Sequence, residues 1–203
     1  MFRKRIRGVR RHFHRHQRDA AIPVALDAER LARYGVDYAS LGIAPWFTHQ
    51  RPPRAFRRVW VTRLVADFHR WRAELARDYP AFYLAVWLFE PHFGHSQLVA
   101  ALADRHAHYD GLFGEAGSFR SLPARRLPPE YQDVPGIADL TWNRHADIAA
   151  YSPDDFAAQD AQTKQKPHWD ATTVDGEAYV AVQIGWVWVG RATTESLLLP
   201  VGE

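Results

Sequence analysis

Helical periodicity early in the chain and strand patterning late in it predict a single α+β domain, a mainly antiparallel sheet packed by three or four helices. Three observations carry that expectation. Between Arg54 and Arg77, apolar residues recur at the spacing of one helix face. Phe82 to Phe89 (FYLAVWLF) is a short aromatic run bounded by Pro80 and Pro91. Asp175-Gly176, a pair favoured in tight hairpin turns, divides two segments of strand-like composition.

Taken in order, residues 1–18 form a basic arm ahead of a domain spanning residues 19–203. Ile6, Val9 and Phe13 stand at helix-like spacing there, so the arm reads as a short amphipathic helix or a frayed segment. Asp27 is a candidate N-cap for a brief helix through Leu31 and Tyr34, with Gly35 just past its end. A loop rich in turn residues and aromatics runs from Gly42 through Trp46 to Pro53. In the long helix that follows, Trp60, Val61, Leu64, Phe68, Trp71 and Leu75 fall in an arc about 100° wide. Arg58, Arg63, Asp67, Arg70 and Arg77 lie outside the arc; Arg57 and Val59 break the pattern. Pro80 bars continuation, and Phe82 to Phe89 reads as a central strand buried on both faces.

Beyond the connection Glu90-Pro91-His92-Phe93-Gly94-His95, Ser96 reads as the cap of a second helix to about Tyr109. Leu98, Leu102, His106 and Tyr109 would be its inward face. Prolines are dense from Ser118 to Gly136, which predicts a surface wrap. Ser152-Pro153-Asp154-Asp155 has the cap, proline and acidic first turn of a helix reaching about Thr163. Tyr179 to Val189 is a long apolar strand with Gly185 as its bulge, and a last strand is expected from Ser196 to Val201.

Composition narrows the function classes. Eight Trp and eleven Phe supply a large core and set the chain apart from disordered sequences. With no cysteine, disulfide frameworks, thiol nucleophiles and thiolate zinc sites are excluded. The longest apolar run, Ala81 to Phe89, is too short to span a membrane, and no export signal is read at the start. A cytoplasmic protein is the expectation.

Charge is unevenly distributed. Residues 1–18 carry seven Arg and Lys4 with no acid, whereas residues 79–203 carry eight basic residues against sixteen acidic ones. The arm residues Arg3, Lys4, Arg5, Arg7, Arg10, Arg11, Arg15 and Arg18 are candidates to bind an anionic surface. Nucleic acid, anionic lipid, an acidic protein partner or the chain's own acidic part would all suit them. His12, His14 and His16 alternate in the arm, but the interleaved arginines would repel a metal cation.

One constellation could carry chemistry. Glu90, His92 and His95 lie where a buried strand hands over to the next element, and could hold a divalent transition metal if they converge. The bland alternative pairs Glu90 with a nearby arginine and leaves the histidines on backbone hydrogen bonds. His106 and His145 complete the set whose convergence would mark an enzyme. No nucleophile elbow, phosphate loop or dinucleotide fingerprint occurs, and no cofactor is expected otherwise. Trp186 and Trp188 share a strand face; buried they are core, exposed they would mark a binding patch.

The Arg7-Gly8-Val9-Arg10-Arg11 start, the long helix before the apolar strand, Ser96-Gln97-Leu98-Val99 and Thr141-Trp142 together resemble an uncharacterised bacterial family of unknown function. The resemblance implies a bacterial cytosolic protein and no reaction, ligand or site. The leading expectation is therefore a non-enzymatic macromolecule-binding protein of immunity or regulatory type, whose acidic C-terminal part could mask a basic partner. A metal-dependent hydrolase at Glu90, His92 and His95, and nucleic-acid or anionic-membrane binding through the arm, are the alternatives.

Overall fold

The computed structural model of the chain describes residues 9–40, 52–90, 96–102, 122–151, 169–174 and 177–192. Within them the expected α+β architecture is present: an antiparallel sheet with the described helices packed on one face. The helices are α1 (Val9–Ala21), α2 (Ala28–Tyr34), α3 (Arg54–Asp78) and the short α4 (Pro129–Gln132). The strands are β1 (Val36–Ser40), β2 (Phe82–Glu90), β3 (Gln97–Leu102), β4 (Leu140–Tyr151), β5 (Trp169–Val174) and β6 (Glu177–Ala192).

The strand order is β1-β3-β2-β6-β4, with β5 also paired to β6. β6 holds two neighbours along one edge: β5 pairs residues 177–182 and β2 pairs residues 186–191. β4 runs along its other edge. β5 and β6 meet at Val174 opposite Glu177, the hairpin expected around Asp175-Gly176. Between Asp147 and Ile148 the β4 register shifts against Gly185 and Gln183, a bulge beside the expected glycine.

Local chemistry explains the helices. Asp27 accepts the Arg30 N–H at 2.9 Å and Gly35 closes α2 in the left-handed region at φ 71°. Pro52-Pro53 precede α3, and its 25 residues end just before Pro80. Trp60, Val61, Leu64, Phe68, Trp71 and Leu75 are all buried against the sheet, as their spacing requires. Every second residue of β2, from Phe82 to Leu88, joins this core, while Tyr83, Ala85 and Trp87 join a second cluster on the opposite face. β2 is thus the doubly buried strand that its composition predicts.

Ser96 opens a strand rather than a helix. Residues 97–102 pair with both β1 and β2, and the Ser96 hydroxyl accepts the Phe89 N–H at 3.1 Å, tying the start of β3 to β2. A short apolar run such as LVAAL fits a buried strand as well as a helix, because periodicity is silent when both sides are buried. The described part of the proline-dense segment also departs from a surface wrap. From Leu122 it folds inward through a 3-10 turn (Ala124–Arg126), α4 and a second 3-10 turn (Ile137–Asp139). Leu127, Tyr131, Val134 and Ile137 enter the helix-side core. Trp142 is fully buried over Gly190, where a Cβ would come within 2.7 Å of the indole. The expected helix at Ser152–Thr163, the strand at Ser196–Val201 and most of the Gly42–Pro53 loop lie outside the described residues.

Candidate functional site

The second half of the basic arm is a helix fixed to the domain. α1 lies on α3 with Phe13 5.1 Å from Phe56 and the His16 ring edge-on to Trp60 at 4.4 Å. His16 Nε2 lies 3.0 Å from the Phe56 carbonyl, to which the ring donates its N–H. Burial holds its pKa below the ordinary histidine value, against the opposing pull of that hydrogen bond and of Asp19.

Polar ties hold the last turn of α1 and the chain beyond it. Arg63 Nη1 donates to the Asp19 carbonyl at 2.8 Å, and Trp71 Nε1 and Arg70 both donate to the Val24 carbonyl. The Val24 N–H donates back to Asp67 at 3.3 Å. Asp67 lies outside the apolar arc yet is buried, because the chain after α1 covers that flank of α3. Its charge is met by Arg70 at 2.7 Å and Arg63 at 3.2 Å.

With α1 held by Phe13, His16 and Ala20, its other side faces water. Arg11, Arg15 and Arg18 are exposed at i, i+4 and i+7, one stripe of the helix. α1 and α3 together carry eleven arginines against four carboxylates, a strongly cationic layer. Between them lies a groove of about 580 Å³. Phe13, Ala20, Ala55, Val59 and Ala66 supply its apolar lining, and Arg58, Arg63 and Arg70 its cationic lining.

A second polar cluster sits beneath α3. Arg57, inside the apolar arc, reaches the end of β2 and places Nη1 3.0 Å from Glu90 Oε1. The Tyr131 hydroxyl donates to the same oxygen at 2.5 Å, and Arg57 Nη2 pairs with Glu130. Burial pushes the Tyr131 pKa far up, and Glu90 beside it adds to the shift, so the phenol stays protonated and donates. The cluster ties α3, β2 and α4 together. An arginine within an otherwise apolar arc is the sequence signal of such a buried partner.

The structure places the remaining candidates as follows. Glu90 is paired with an arginine, the arrangement weighed against metal binding. His92, His95 and His106 lie outside the described residues, as do Arg3, Lys4, Arg5 and Arg7; Arg10 lies in α1. Glu90 and His145 are on opposite faces: Glu90 stands in register with Trp186, whereas His145 stands opposite Val187 of the second cluster. Among the described residues no three metal-ligating side chains gather, and no helix is long and apolar enough to cross a membrane. Trp188 is buried, but Trp186 is 40% exposed and carries the Arg144 guanidinium 4.1 Å from its ring centroid. No family model matches the chain, and neither does any curated protein or solved structure.

Proposed function

We propose that this is a non-enzymatic binding protein that engages an anionic macromolecular partner through the cationic layer of α1 and α3. The observation that carries the reading is the fixed position of α1. Its arginines Arg11, Arg15 and Arg18 stand on the exposed side of a helix whose other side is held by Phe56, Trp60 and Arg63. Charges displayed on a docked helix lose less conformational entropy on association than charges on a free arm.

Two further observations support it. Glu90, the carboxylate of the metal-hydrolase alternative, has one oxygen already shared by Arg57 and Tyr131. Anionic-membrane insertion would need an apolar helix face, and that of α1 is packed on α3.

The test uses two anionic probes, labelled poly-glutamate and a single-stranded DNA of matched charge. Each should bind the full chain at low salt and weaken as salt rises. The variant Arg11→Glu/Arg15→Glu/Arg18→Glu should bind the preferred probe at least about tenfold more weakly. Equal affinity in wild type and variant, or no binding of either probe, refutes the reading.

A further inference from the structure

Resting on that reading, we infer that the groove between α1 and α3 is the docking site for an acidic amphipathic helix of a partner protein. On α3 the groove is lined by Ala55, Val59, Thr62 and Ala66, spaced 4, 3 and 4 residues apart. That is the spacing of a helix-packing seam. It covers about 16 Å at 1.5 Å rise per residue, roughly three turns of a partner helix. Small side chains along the seam allow axes to approach to about 8–10 Å. Phe13, Gln17 and Ala20 of α1 form the other wall.

Among the described residues the seam is accessible: Ala55, Thr62 and Ala66 are exposed and Val59 is half-buried. The inward arc of α3 meets the sheet, so this is a second, separate packing surface on the same helix.

Charge selects the occupant. Arg58 lines the groove and Arg54 adjoins Ala55, and neither makes an ion pair among the described residues. Arg63 and Arg70 are committed to Asp67 and to backbone carbonyls, so they add positive potential without being free to move. A helix presenting leucines at seam spacing, flanked by Glu or Asp, meets both the apolar lining and the cationic border. A nucleic acid would satisfy the arginines but leave the apolar lining against a sugar–phosphate backbone, which gives it nothing to pack on.

The probe is an 18-residue helical peptide with leucines in heptad register and glutamates on the flanks. Its control is the same composition scrambled to remove the apolar stripe. The helical peptide should bind the full chain at least tenfold tighter than the scrambled one. Val59→Gln/Ala66→Gln, which removes the apolar lining without adding charge, should weaken it by a similar factor while leaving poly-glutamate binding unchanged. Amide chemical-shift mapping on the wild-type protein supplies a readout independent of any variant, with the largest peptide-induced shifts expected at Ala55, Val59, Thr62 and Ala66. Equal binding of the two peptides, shifts confined to other elements, or a folded Val59→Gln/Ala66→Gln variant that binds as wild type does would overturn the assignment. If the groove variant binds normally while the Arg11/Arg15/Arg18 variant does not, the groove is wrong and the cationic reading stands. Loss of neither interaction removes both.

Discussion

Arg57 and Arg58 are neighbours in sequence and opposites in the fold. Arg57 points under α3, almost wholly buried, with Glu90, Glu130 and Tyr131 around its guanidinium. Arg58 points outward, exposed beside the α1–α3 groove. The two share charge and helix, so solvation alone separates their roles. A buried guanidinium is bound to its carboxylates by a desolvation cost that neither partner can bear alone. An exposed one is available to a partner molecule and contributes little to stability.

The largest effect should come from removing the buried member. Arg57→Ala removes the buried guanidinium that Glu90 and Glu130 share and is expected to cost about 3–5 kcal/mol in denaturant unfolding. Arg58→Ala should leave the unfolding midpoint unchanged and lower only the affinity for an acidic helical peptide. Similar stability losses in the two variants would mean that burial does not separate the two arginines.

A smaller loss, about 1–2 kcal/mol, is expected for Tyr131→Phe, which takes one donor from Glu90 while keeping Arg57 in place. Thermal or chemical denaturation reads it directly. A loss equal to that of Arg57→Ala would mean that the phenol, not the guanidinium, carries the cluster.

The α1–α3 contact has its own pH signature. His16 at the α1–α3 contact has its folded-state pKa below the unfolded value of 6.5, mainly because it is buried. Its contribution to stability is therefore present above about pH 6.5 and lost as pH falls through the folded value. Between neutral pH and about pH 5, the wild type should lose more stability than His16→Gln does. Equal slopes in the two proteins would remove His16 from the contact.

Much of the architecture was legible in residue order. The Asp27 and Gly35 caps and the Val174–Glu177 pairing rest on interactions within a few residues, while the period of the arc from Trp60 to Leu75 and the apolar run of β2 can be read in one dimension although distant residues bury them. β3 was hidden because burial between two strands leaves no alternation to detect. β4 was hidden for a different reason: its side chains alternate between Trp142 in the helix-side core and Asn143 and His145 on the opposite face, and polar residues there resemble a loop.

What the chain by itself determined is the α+β class, the position of its longest helix and the concentration of positive charge at its start. The sign of a charge and the period of an apolar face are local properties. Which arginines are buried was decided only in three dimensions. Arg57 is committed to residues 33 and 74 positions away, and α1 is anchored to a helix some 40 positions further on. Desolvation depends on neighbours that folding brings together across such separations, and no local pattern records them.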